Sequence, residues 1–140
     1  MHTSELFRHR TIESLLAQHT ENVPDAAVDL WEKMATQIIS IVGEGGFNSL
    51  YARSLHLAQS AFPWLADSAL SPPADQRFTK LKISFEGQTP AQATEANRRL
   101  LTTFTDILAS LIGEQLTTLI LRSAWGVDAQ DRTSKEQENE

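Results

Sequence analysis

From Thr89 to Trp125 the chain runs with no proline after Pro90 and with a single interior glycine, Gly113. Within it Leu100, Phe104, Ile107, Leu108, Leu111, Ile112, Leu116, Leu119 and Ile120 recur at the i, i+3, i+4, i+7 spacing of a helix with one face turned to a core. The spacing predicts one long helix over 89–125, opened by the capping sequence Thr89-Pro90-Ala91-Gln92. A helix of that length cannot bury its apolar face alone, so the remaining segments are expected to pack around it.

They read as four further helices. Ser4 to Thr20 carries Leu6, Phe7, Ile12, Leu15 and Leu16 on an apolar stripe. Asn22-Val23-Pro24-Asp25 supplies a cap-type residue, a first-turn proline and an acidic group suited to a helix start. Trp31, Met34, Ala35, Ile38, Ile41 and Val42 follow on one face, with Asp29 and Lys33 placed for an i, i+4 ion pair. Gly43-Glu44-Gly45-Gly46 ends that helix and permits a tight reversal. A third helix spans about Phe47 to Phe62, stopped by Pro63, with Trp64 and Leu65 folding back as an apolar plug.

Ser71-Pro72-Pro73 reads as a rigid, non-helical connector. Phe78 to Gly87 fits both periods, because Leu81, Ile83 and Phe85 alternate like a strand while Phe78, Leu81 and Phe85 fit a helix. A strand needs a partner, and no other stretch offers one, so a helix is expected. No internal repeat stands out. The expectation is an all-α, single-domain bundle of about five helices over 1–126, followed by a disordered acidic tail over 127–140 with five acidic and two basic residues.

At 140 residues, with 41% hydrophobic and 21% charged residues, the chain can bury one core unaided. Its net charge of −6 and scattered basic residues argue against a nucleic-acid partner. The absence of cysteine excludes disulfides, thiolate metal sites and a cysteine nucleophile. No leader and no run of eighteen apolar residues is seen, so the cytoplasm is expected and a membrane is not.

Candidate chemistry is sparse. His56 lies mid-way across the polar face of the third helix, with Arg53 one turn before and Gln59 and Ser60 one turn after, and an exposed imidazole can accept a phosphoryl group. This helix resembles the histidine-phosphotransfer domains, whose bundles expose a histidine followed at the third and fourth positions by lysine and a small residue. Gln59 and Ser60 stand there instead, and the lysine that would assist phosphate binding is missing. The resemblance implies phosphotransfer signalling through His56.

Neither metal nor cofactor is expected, because His2, His9, His19 and His56 form no i, i+4 pair of histidines and no Glu-x-x-His motif occurs. Gly43 to Ser49 lacks the lysine and spacing of a phosphate-binding loop. Trp31, Tyr51, Phe62, Trp64 and Phe104 are candidates to line a pocket for a small apolar ligand. Asp106, Ala109, Ser110, Gly113 and Thr117 form a stripe of small residues on the long helix, suited to close approach by another protein or a second copy. The function expected from these features is that of a non-enzymatic regulatory or protein-interaction module of bacterial-type signalling. Phosphotransfer through His56 and sensing of an apolar ligand are the alternatives.

Overall fold

The computed structural model describes residues 2–18, 21–65 and 77–126, with side chains from Glu5 onward. His19, the Ser71-Pro72-Pro73 connector and the 127–140 tail lie outside the described residues. The described chain is all-α: α1 (His2–Gln18), α2 (Val23–Ala58), α3 (Thr79–Glu86), α4 (Pro90–Ile112) and α5 (Glu114–Trp125). The ambiguous 78–86 segment is therefore helical. No described helix is long and apolar enough to cross a membrane.

Two glycines shape the bundle. Gly43, at φ 83° and ψ 164°, interrupts α2, and Trp31 and Tyr51 on either side lie with ring centroids 5.3 Å apart. Twenty residues of unbroken helix would separate them by about 30 Å. The two halves of α2, 23–42 and 44–58, therefore double back on each other, as the glycine-rich turn predicts. The one long helix predicted over 89–125 is not found. Gly113 adopts φ 98° and ψ 151°, divides that stretch into α4 and α5, and donates its N–H to Ala109 O at 2.9 Å while its own carbonyl accepts from Thr117 N at 3.1 Å. Such a conformation is sterically open only to glycine. A Cβ built on Gly43 or Gly113 meets nothing within 4 Å, so backbone freedom, not room for a neighbour, is what each glycine supplies.

The corners are two instances of one device. Ile41-Val42-Gly43-Glu44 and Leu111-Ile112-Gly113-Glu114 lie 70 positions apart along the chain. Val23, Ala27, Leu30, Trp31, Met34, Ala35 and Ile38 are buried before the first corner, and Phe47, Leu50 and Tyr51 after it. At the same offset Ala93, Asn97, Leu100, Leu101, Phe104, Thr105 and Leu108 are buried before the second corner, and Thr117, Ile120 and Leu121 after it. Ser40 Oγ donates to Gln37 O and Ser110 Oγ to Ile107 O, both at 2.6 Å. The chain is thus built from two units, α1–α2 and α3–α4–α5, of the same plan.

Each unit's first helix packs on the other unit. From α1, Arg98 of α4 meets Glu13 at 3.0 Å, and Arg8 meets Glu114 at the start of α5 at 2.6 Å. In return, Lys82 of α3 meets Asp25 of α2 at 2.7 Å, and Arg77, just ahead of α3, pairs with Glu44. Phe78 packs its ring on Trp31, Phe47 and Tyr51. Reciprocal contacts of this kind are the mark of a two-fold relation.

Several predicted faces shift with the true corners. The Asp29–Lys33 pair forms at 3.0 Å, Leu65 is buried and Trp64 packs on Phe62 and Phe85. On α1, however, Leu6 and Phe7 are exposed and Arg8 is buried with Ile12, Leu15 and Leu16. On the predicted long helix, Leu111 faces outward in the last turn of α4, and Leu116 and Leu119 face outward beyond the break at Gly113, which changes the phase. Asn22 occupies the cap position of α2 with φ 52°, yet its side chain donates to Asp25 Oδ2 instead of capping the helix.

Candidate functional site

The densest polar cluster joins α1 to the α4–α5 corner. Arg8 is 2% exposed although it sits on a surface-type helix. Its guanidinium meets Glu114 through two hydrogen bonds, Nε to Oε2 at 2.6 Å and Nη2 to Oε1 at 3.2 Å. Nη1 donates to Asp106 Oδ1 at 2.5 Å and to Thr105 Oγ1 at 3.0 Å. Burial works against the charge on Arg8, but the hydrogen bonds it donates to Glu114 and Asp106, with their negative charges, outweigh it and hold its pKa above the ordinary value. The hydrogen bond from Arg8 in turn lowers the pKa of Glu114, against a smaller opposing effect of burial. Glu114 is also the first residue of α5, where an acidic group favours the helix dipole.

His9 Nε2 lies 3.0 Å from the same Asp106 oxygen. Glu5, one turn earlier on α1, completes a group in which one ligand-type atom from each of Glu5, His9 and Asp106 lies within 4.8 Å of the others. These are oxygen and nitrogen donors of the kind that divalent cations accept. Asp106 already neutralises the Arg8 guanidinium, so a cation here would compete with a buried positive charge. The cluster is organised as a clamp on the corner. Sequence reasoning missed it because Arg8 reads as a solvated charge on an exposed face, and the pairs that share a face, His9 with Glu13 and more loosely Asp106 with Glu114, read as solvated surface groups.

The residues singled out from sequence fall in three places. His56 and Arg53 are exposed near the end of α2. Gln59 Nε2 donates to Leu65 O at 3.0 Å and Ser60 Oγ to Leu57 O at 2.9 Å, so both of these side chains serve the local backbone.

The five aromatic candidates divide. Trp31 packs edge-on against Tyr51 and Phe104, each with ring centroids 5.3 Å apart, within a cluster that includes Phe47 and Phe78. Trp31 Nε1 donates to buried Asn97 Oδ1 at 2.9 Å. Burial pushes the Tyr51 hydroxyl far above its usual pKa, which removes it from acid–base chemistry near neutral pH. Phe62 and Trp64 stand apart, edge-on to each other, with Trp64 also edge-on to Phe85. The rings around Trp31 fill the centre of the fold with one another.

The small-residue stripe is also split. Asp106 belongs to the Arg8 clamp, Ala109 is half-buried, and Ser110 is exposed with its hydroxyl bonded to Ile107 O. Gly113 is the corner itself. Thr117 lies on the following helix, fully buried, with Oγ1 donating to Gly113 O at 2.8 Å. These five positions therefore do not form one continuous helical stripe.

The corner also exposes apolar side chains. Leu111, Leu116 and Leu119 are 66%, 39% and 58% exposed. Leu116 and Leu119, three residues apart on α5, share a face. The matching positions at the first corner hold Ile41, itself exposed, then Gly46 and Ser49. The chain matches no protein-family model, no curated protein and no solved structure.

Proposed function

We propose that the chain is a non-enzymatic regulatory module of bacterial-type signalling, cytoplasmic, that works by binding another protein, and that the Gly113 corner carries the contact. The observation behind this reading is the inequality of the two corners. Both satisfy the same backbone requirement, yet only the second adds Leu116 and Leu119 to the outside, where Gly46 and Ser49 suffice in the first. Apolar side chains left in water at a position where the fold itself does not need them mark an interaction surface. The polar groups elsewhere support the same reading, since buried Arg8, Thr105 and Asn97 are engaged in bonds between helices and buried Thr117 in a bond to the Gly113 carbonyl at the start of its own helix.

The test uses the internal control that the two units provide. A photoreactive amino acid is placed at Leu119 or, separately, at Ser49 in the full chain, and cells producing each variant are irradiated. A protein adduct of defined mass is expected from position 119 and none from position 49. Absence of an adduct at 119, or the same adducts from both positions, overturns the assignment.

A further inference from the structure

The reciprocal packing of the two units means that each presents a surface whose occupant is known: the first helix and corner of the other unit. We infer that this surface also accepts the corresponding unit of a second copy of the chain, giving a dimer in which α1–α2 of one molecule pairs with α3–α4–α5 of the other.

Three observations carry this. The contacts linking the units are two-way, Arg8 to Glu114 and Glu13 to Arg98 in one direction, Arg77 to Glu44 and Lys82 to Asp25 in the other. On α2 they run along the first half, from its first turn at Asp25 to its corner at Glu44, and a unit separated from its mate would expose the ring cluster of Trp31, Phe47 and Tyr51 that Phe78 covers. Finally, the chain crosses from one unit to the other once, over residues 66–76, so two molecules can trade units without breaking any other connection.

An exchanged dimer contains every inter-unit contact of the monomer twice and needs no new interface. Exchange of this kind is a low-cost route to dimers because the closed and exchanged forms differ chiefly in connectivity. Each dimer would carry two Gly113 corners and so present the exposed leucines bivalently.

The absence of cysteine makes the test clean. Two full-length chains, Asp25→Cys and Lys82→Cys, are purified separately, mixed, unfolded together in denaturant, refolded at high concentration and treated with a short bis-maleimide. The introduced thiols sit on opposite units and never in one molecule, so a cross-linked heterodimer at high yield requires exchange. Ser49→Cys mixed with Lys82→Cys sets the level of random collision, and the double variant Asp25→Cys/Lys82→Cys, cross-linking within one chain, verifies the native pairing.

The expected result is heterodimer severalfold above the collision control, together with a species of doubled mass by light scattering when the unsubstituted chain is refolded at the same concentration. Heterodimer at or below the control level, or only monomer mass after concentrated refolding, overturns the inference.

Discussion

Arg8 and Glu114, 106 residues apart in sequence, meet through Nε and Oε2 at 2.6 Å and fasten the first helix to the turn between the last two. Removing the guanidinium leaves Glu114 and Asp106 facing each other without a counter-charge. Both carboxylates are partly exposed, at 19% and 43%, so water relieves some of the loss. Arg8→Ala is expected to cost roughly 2–4 kcal/mol in urea unfolding. Arg8→Met combined with Glu114→Gln should cost less than the sum of the single changes, and strict additivity would show that the pair is not coupled.

The same pair sets a pH dependence on the acid side. Hydrogen bonding from Arg8 holds the folded-state pKa of Glu114 below its ordinary 4.5. A depressed carboxylate contributes stability that is fully present above the unfolded pKa and is lost as pH falls through the folded one. Stability should therefore drop between about pH 5 and the acid limit, and Glu114→Gln should flatten that drop. Asp25, lowered chiefly by the hydrogen bond from Lys82, acts in the same direction, but it is exposed and leaves the comparison intact. Equal slopes for the two proteins would refute the coupling.

Gly43 and Gly113 share a backbone conformation closed to other residues, and neither has a neighbour that a Cβ would strike. Gly43→Ala and Gly113→Ala are each expected to destabilise by about 2–3 kcal/mol through backbone strain alone. Gly45, exposed and inside helix with open space around it, is the contrast. Gly45→Ala should stabilise by about 0.5–1 kcal/mol, and thermal unfolding of the three variants reads both signs.

Trp31 and Asn97 form the one side-chain hydrogen bond within the aromatic centre, and Asn97 Nδ2 has no hydrogen-bond partner. Asn97→Ala strands a buried indole N–H and is expected to cost about 1–3 kcal/mol. Trp31→Phe with Asn97→Leu removes both polar ends, and a double-mutant cycle should give a coupling of about 1 kcal/mol or more. A coupling near zero would mean the bond is not formed in solution.

For His56, the non-enzymatic reading predicts a negative result. Gln59 and Ser60 are bonded to the backbone, and Arg53 is exposed with His56 one turn away. Incubation with a small phosphodonor such as acetyl phosphate should give no acid-labile adduct. An adduct that disappears in His56→Ala would restore phosphotransfer as the function.

Much of the fold was legible in the sequence because helix periodicity, capping and glycine punctuation are local. The Thr89 cap, accepting from Gln92 N at 3.1 Å, the Asp29–Lys33 pair and the reversal at Gly43 all follow from neighbours within a few residues, while the helix over 79–86 followed from the lack of any partner strand elsewhere in the chain. The two-unit plan was not legible. Aligned at their corners, residues 23–55 and 93–125 share only Ala26/Ala96, Leu30/Leu100, Ser40/Ser110, Gly43/Gly113 and Glu44/Glu114. A burial pattern tolerates many apolar residues at one position, so the plan persists in what is buried and not in which residue is used.

The sequence by itself determined that this protein is helical and where its helices start, the start of α5 at Glu114 excepted. Tertiary structure alone decided which charge went inside and which leucines stayed out. Arg8 is buried because Glu114 and Asp106 arrive from about a hundred residues away to neutralise it, and Leu116 and Leu119 are exposed because Gly113 turns the chain ahead of them. That turn is a property of the backbone: Gly113 within an apolar helical pattern is equally compatible with a continuous helix, and packing against α1 and α2 selects the corner.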